Sequence, residues 1–348
     1  MFTHLHSMTP DPLPAHRLLD LYRLMCRIRQ FENAAEIASQ GGVAAWGLAA
    51  SSKPALVRGP LHLSTGQEAV AAGVCLNLER ADLLTSTHRG HGHTLAKGAD
   101  STKMMCELFG RATGYNKGKG GSMHIADFSV GMLGANGVVA AGIPIATGAA
   151  HALKIRKQSN VVVCFFGDGA TNRGPFLEGL NWAQVYQLPV LFVCEDNRIS
   201  ATTATSAMTA GAGAFARAEA MGISSEHVDG NDVEAVDATA KKMVDDIRAG
   251  GGPRFLHAAT YRFKGHVSVD PGTYRDAKEV EAALLKDPLI VARVRLATLG
   301  ISDAAIAAVD AEIKSEIDTA LQTAQTAPWP VVADAYEDIM TTGAGVWL

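Results

Sequence analysis

The stretch that decides the fold is VVVCFFGDGATNRGPFLEGLNWAQVYQLPVLFVCEDN, residues 161–197. An apolar run over 161–166 stops at Gly167-Asp168-Gly169 and gives way to a polar turn. The pattern predicts a strand over 161–166, a helix over roughly 175–187 and a second strand, PVLFVCE, over 189–195. That order is a β-α-β unit, and it places the chain among α/β proteins built on a parallel sheet. In such sheets ligands gather in the crevices at the carboxyl ends of the strands. Asp168 stands at one such end, and Asn197 stands at the matching end one unit later. If the two strands are neighbours, a carboxylate and an amide carbonyl face a common crevice. Oxygen donors of this kind suit a hard divalent cation that shares its ligands with phosphates. Gly167 and Gly169 let the backbone come close and offer N–H groups beside a helix start, which favours an anion. Taken alone, Gly-Asp-Gly after a strand is also simply a tight turn.

Outward from this unit, residues 15–40 carry Leu18, Leu21, Tyr22, Met25, Ile28 and Phe31 on one helical stripe. A loop rich in Gly, Ala and Ser runs to Arg58, and a further helix emerges from GPLHLSTGQEAVAAGVCLNL. Residues 85–137 read as loop-rich, with three glycine-dense pieces, before the small-residue helix IPIATGAAHALKIRK. Beyond the β-α-β unit come the weakly patterned residues 199–218, a helix over 232–249 and a strand over 254–263. The polar loop KGHVSVDPGTYRD then precedes the C-terminal helices. The last of these shows Ile306, Val309, Ile313, Ile317 and Leu321 at helical spacing. The expected division is a helix and loop over 1–60, an α/β binding domain over 61–290 and a helical extension over 291–348.

The chain has 348 residues, 47% of them hydrophobic, enough for a large core, and its net charge of −4 argues against nonspecific nucleic-acid or membrane binding. Five scattered cysteines form no CxxC pair and read as buried reduced thiols. The first residues show neither the apolar core of a signal peptide nor the arginine content of a transit peptide, so the expected location is the cytoplasm.

Five stretches in order, GPLHLSTGQEA, HRGHG, GKGGSMH, GANGVVAAGIPIATG and YRFKGHVSVDPGTYR, accompany the Gly-Asp-Gly unit. With them, from about Arg27 to Arg275, the chain resembles the alpha subunit of the decarboxylating component of 2-oxo acid dehydrogenase complexes, of the pyruvate and acetoin dehydrogenase type. The resemblance implies the thiamine-diphosphate-binding fold, a parallel sheet flanked by helices with helical extensions at both ends. It implies thiamine diphosphate and Mg²⁺ as cofactors. Asp168 and Asn197 are then side-chain ligands of the metal, and Ile199 gives a backbone carbonyl. Arg89 and Arg262 are the guanidinium candidates for the diphosphate, where a planar fork outperforms an ammonium. Gly169 and Ala170 line the same end of the cofactor, and the backbone of Gly137 and Val139 meets its aminopyrimidine.

Three histidines match positions that handle protons around the reaction, namely His62, His266 and His91. His124 is matched as well, with a loop role as the alternative. Ser122 has no accompanying base in the sequence, which argues against a nucleophilic serine. The chain departs from the family's pattern at two positions. The first Asn of the usual pair is Asp196. The aromatic hydroxyl usual before the first arginine, an additional phosphate contact in the family, is replaced by His88, so the resemblance does not carry that contact over. Kinase-regulated mitochondrial relatives carry serines shortly after the active-site histidine; here those positions are Val267 and Val269, with Ser268 between them.

The resemblance also implies an incomplete active site. The glutamate that activates the aminopyrimidine belongs to a beta subunit, and an α2β2 assembly delivering an acyl group to a lipoyl-bearing acyltransferase is expected. Ala146 and Ala150, one helical turn apart, suit close packing between subunits or within the chain. The substrate is expected to be a small 2-oxo acid or acetoin, in a pocket that the 41–58 loop helps to shape. Two alternatives are a split transketolase-type subunit and a noncatalytic module that binds a metal–nucleotide complex.

Overall fold

The computed structural model describes residues 13–41 and 52–338. The N-terminal stripe becomes α1 (Ala15–Ser39), with Leu18, Leu21, Tyr22, Met25, Ile28 and Phe31 all buried. Next come α2 (Glu68–Cys75), β1 (Leu83–Thr85), α3 (Gly90–Ala96), α4 (Ser101–Leu108), β2 (Met132–Gly134) and α5 (Gly142–Ile155). The expected β-α-β unit is β3 (Val162–Gly167), α6 (Gly174–Val185) and β4 (Val190–Asp196). A small hairpin, β5 (Ile199–Ser200) with β6 (Thr203–Ala204), leads to α7 (Gly213–Ala220) and β7 (Ser224–Asp229). The chain continues through α8 (Val233–Arg248), β8 (Arg254–Ala259), α9 (Ala277–Leu284), α10 (Pro288–Thr298) and α11 (Asp303–Thr326).

Six strands form one sheet in the order β2-β1-β3-β4-β8-β7, and every pairing is parallel. Successive side chains of a strand point to opposite faces. In β3, Val163 and Phe165 join one core cluster while Val162, Cys164 and Phe166 join the other; β4 splits in the same way. A strand covered on both faces reads as an unbroken apolar run, which is why 161–166 was legible. Cutting Phe192 back to alanine in this packing costs about 3–5 kcal/mol.

The first cluster unites the sheet with α1, α2, α4, α8, α10 and α11, so the terminal helices share a core with the sheet. Arg29 of α1 clamps this layer by pairing with the buried Glu68 and, at 2.8 Å, with Asp287. Ala146 and Ala150 of α5 are fully buried in the second cluster, packed within the chain. All five cysteines are buried and unpaired, and burial pushes Cys75 and Cys164 up to about 12, so they are inert as nucleophiles. Among the described residues no helix is long and apolar enough to cross a membrane.

The 85–137 segment is loop-rich as expected, with two short helices and a short strand inside it. The strand expected over 254–263 ends at Ala259, and the chain then turns over the sheet edge, carrying Arg262 into the site. The edge strand β7 was not foreseen, because SSEHVD has only Val228 buried and shows no apolar run. Most of the 41–58 loop lies outside the described residues.

Candidate active site

β3 and β4 are adjacent, with Gly167 opposite Glu195, so Asp168 and Asn197 emerge side by side. A cavity of about 210 Å³ opens there, at the carboxyl edge of the sheet. Its wall combines His88 and Arg89 after β1, Asp168 to Ala170 after β3, and Asn197 and Ile199 after β4, with Arg262 and His266 after β8. Val139 also lines it, beside Ala140, whose φ of 73° is unusual for a residue with a side chain. Gly137 is exposed next to this lip and is not part of the wall.

Asp168 is 5% exposed, and burial raises its carboxyl above the ordinary range. The Thr205 hydroxyl donates to its Oδ2. The Asn197 amide nitrogen donates to Gln67 Oε1 at 2.8 Å, which fixes the flip and leaves Oδ1 as its acceptor end, reached by the Ile199 N–H at 3.1 Å. A carboxylate, an amide oxygen and nearby backbone carbonyls form an oxygen-only donor set suited to Mg²⁺. Asp196 is turned elsewhere, since its Oδ2 lies 2.9 Å from His257 Nε2 and its Oδ1 accepts the Arg198 N–H. A side chain at position 169 would bring its Cβ within 2.3 Å of Ser200 Oγ, so glycine is required there.

Opposite this group lie two buried guanidiniums. Arg89 donates to the Leu63 carbonyl at 2.6 Å and to the His266 carbonyl at 3.0 Å. Arg262 donates to the carbonyls of Lys264 and Ala201 and to the Tyr274 hydroxyl. Among the described residues neither has a carboxylate at ion-pair distance. Burial, reinforced by Arg262, pushes Arg89 down to about 9, and burial lowers Arg262 too. Two desolvated cations on one cavity wall, neither within ion-pair distance of a described carboxylate, fit a polyanionic ligand.

The histidines divide. His62, His88 and His266 form one cluster, with ring centroids 4.6 Å apart for His62 and His88 and 4.9 Å for His62 and His266. His88 and His266 line the cavity, whereas His62 packs edge-on behind both, its Nδ1 buried with no hydrogen-bond partner. Burial and the Arg89 charge hold all three neutral, pushing His62 to about 3, His88 to about 2 and His266 to about 4.

His91 is fully buried away from the wall, its Nδ1 3.4 Å from Glu32 and its Nε2 2.9 Å from Ser122 Oγ. Ser122 therefore does have an imidazole neighbour, which its sequence distance concealed. The contact ties the GKGGSMH loop to α3, and Ser122 is not on the wall of the cavity described above. His124 is exposed and bonds the Gly120 carbonyl within that loop.

Sequence reasoning missed several contributors. Glu32 on α1 accepts the Ser64 N–H at 2.8 Å and the Thr65 hydroxyl at 2.8 Å, holding the turn that follows His62. Gly66 in that turn has φ of +100°, and a Cβ there would lie 2.5 Å from the Tyr261 carbonyl oxygen. Glu107 accepts four backbone N–H groups, from Asn116, Gly118, Gly120 and Gly121, so that the glycine-rich loop coils around one carboxylate. Glu195 lines the cavity and meets His93 Nε2 at 3.1 Å, while His93 Nδ1 meets Ser86 at 2.7 Å. Its position at the strand end beside the Gly-Asp-Gly partner was the available signal. Ser268 is buried and its hydroxyl accepts from Ser39 at 2.9 Å.

A parallel sheet gathers oxygen donors and two arginines outside any ion pair at its carboxyl edge, groups suited to a metal ion and a polyanion. Residues 47–333 match the family model described as dehydrogenase E1 component, and the chain belongs to that family, a family of oxidoreductases. It is 40% identical over 329 residues to the alpha subunit of acetoin:2,6-dichlorophenolindophenol oxidoreductase from Bacillus subtilis, covering 94% of each chain. The subunit of that description from Cupriavidus necator is 39% identical over 330 residues, covering 94% of this chain and 95% of the relative. The alpha subunit of the pyruvate dehydrogenase E1 component from Porphyra purpurea is 36% identical over 331 residues, covering 92% of both. Neither the transketolase-type subunit nor the nucleotide-binding module is favoured by these relatives.

Proposed function

We propose that the chain is the alpha subunit of a thiamine-diphosphate-dependent dehydrogenase E1 component that acts on acetoin or a small 2-oxo acid. The observation that carries the reading is the pairing of Arg89 and Arg262, buried without carboxylates, across one cavity from Asp168 and Asn197. Thiamine diphosphate, when bound, supplies the nucleophilic carbon and the electron sink that the side chains lack. Arg89 and Arg262 would hold the diphosphate, and Asp168, Asn197 and the Ile199 carbonyl would hold the Mg²⁺. Gly169 and Ala170 bring backbone close to the same end, while Gly137 and Val139 support the aminopyrimidine at the lip. His62 and His266 hold or pass protons near the substrate, and His91 positions the loop that covers it. A beta subunit supplies the activating glutamate in an α2β2 assembly, and a lipoyl-bearing acyltransferase accepts the acyl group. The site of action is the cytoplasm.

The test is to purify the chain alone and with a beta subunit, then assay acetoin and several 2-oxo acids with a dye acceptor. Turnover only in the mixture, dependent on thiamine diphosphate and Mg²⁺, supports the proposal. Tight binding of a nucleoside triphosphate without affinity for thiamine diphosphate would sink it.

A further inference from the structure

We infer that His93 is a positioning residue, a buried clamp that holds the arginine end and the metal end of the cavity at a fixed spacing. The inference rests on the reading above and concerns how that site keeps its shape. His93 is the third histidine of HRGHGH, and it lies on α3, 1% exposed and behind the cavity wall. Its Nε2 is 3.1 Å from Glu195 Oε1 and its Nδ1 is 2.7 Å from Ser86 Oγ. A carboxylate only accepts, so Nε2 carries the ring proton and Nδ1 accepts the Ser86 O–H. Both nitrogens are thereby engaged, and the ring face stacks on Phe165 with centroids 3.8 Å apart and planes 18° apart.

The three partners stand on three strands. Ser86 follows β1, Phe165 lies in β3 and Glu195 in β4, and β3 separates the other two in the sheet. Neighbouring strands are about 4.8 Å apart, so β1 and β4 stand roughly 10 Å apart and share no backbone ladder. One imidazole spans that gap. Ser86 and Glu195 both line the cavity, so the clamp sits directly beneath it.

Each of the three strands feeds one part of the site within a few residues. Arg89 comes after Ser86, Asp168 after Phe165 and Asn197 after Glu195. Residues on loops beyond strand ends are more mobile than the sheet that carries them. The two guanidiniums also repel each other, which contributes to the lowering of Arg89. A hydrogen bond at the root of the Arg89 loop and another at the root of the Asn197 loop resist that push. A metal–diphosphate complex has a set span, and a site held at that span binds it without first reorganising.

The experiment compares the full chain with His93→Phe, Ser86→Ala, the double variant and Ser86→Thr. Calorimetry measures binding of thiamine diphosphate and of inorganic diphosphate, each with Mg²⁺, and urea unfolding gives the stability of each variant. Phenylalanine keeps the stack on Phe165 and makes neither hydrogen bond. Ser86→Ala cuts only the β1 side and leaves Glu195 its partner, so it decides the matter where His93→Phe does not fold. Each single variant is expected to bind both anions about tenfold more weakly. The double variant should lose no more, because the two side chains act through one link. Ser86→Thr keeps the hydroxyl and should bind as the parent does. Unchanged affinity in Ser86→Ala, or losses that add in the double variant, would overturn the inference. So would a fall in stability with affinity intact. A parent chain that binds neither anion would instead overturn the underlying reading, and the inference with it.

Discussion

Arg89 joins the two halves of the site, because Nη2 of its guanidinium donates to the His266 carbonyl at 3.0 Å while the group itself faces the cavity. A ligand that pulls on Arg89 therefore pulls on the loop that carries His266. Anion binding and the placement of the proton-handling cluster are one mechanical unit.

Arg89→Lys is expected to weaken thiamine diphosphate binding about tenfold or more, because an ammonium cannot reproduce the planar fork in a buried site. Calorimetry with thiamine diphosphate and with inorganic diphosphate checks this. Equal affinity of the variant and the parent for both anions would count against the assignment.

Asp168→Asn separates metal binding from stability. The carboxyl is buried and its pKa is raised, so removing its charge relieves a desolvation cost in the unliganded chain. Thermal unfolding of the free chain should rise or stay level, while the added stabilisation by Mg²⁺ and thiamine diphosphate should disappear. Retention of that increment would argue against a metal ligand at this position.

The neutral histidine cluster predicts acid sensitivity with a defined sign. In the unfolded chain these rings titrate near 6.5, whereas the fold holds His62 to about 3 and His266 to about 4. As pH falls below about 6.5 the unfolded state takes up protons that the folded state refuses, so stability declines towards pH 4. Urea unfolding at pH 7.5 and 5 should show a smaller decline in His62→Gln than in the parent.

Glu107→Ala leaves four backbone N–H groups of the glycine-rich loop without their acceptor. The cost should be about 2–4 kcal/mol, with protease cleavage appearing between residues 114 and 122. Urea unfolding and limited proteolysis measure the two effects.

Residues 200–214 carry Thr205 to Asp168, and residues 264–276 carry His266 to the cavity wall. Both are expected to become protease-resistant when thiamine diphosphate and Mg²⁺ are added. Unchanged cleavage of both segments would contradict ordering by the cofactor.

The sequence by itself determined the parallel α/β unit, the helical stripes of α1 and α11, and the ordered motifs that mark the family. These were legible because burial on both sheet faces leaves an unbroken apolar run, and burial of one helix face leaves a 3.6-residue period. The edge strand β7 and the short strands β1 and β2 lack that imprint, since three residues or a half-exposed edge carry no period. Only the tertiary structure decided that Asp168 and Asn197 share a crevice, because strand adjacency is set by how the crossover packs. It also decided that Arg89 and Arg262, far apart in the chain, are buried on one cavity wall outside any ion pair among the described residues. The grouping of His62, His88 and His266 was settled in the same way, as three loops converge on one sheet edge and bury His62 behind two half-buried rings. Spacing along a chain cannot encode that burial, which depends on what the other loops bring to the same place.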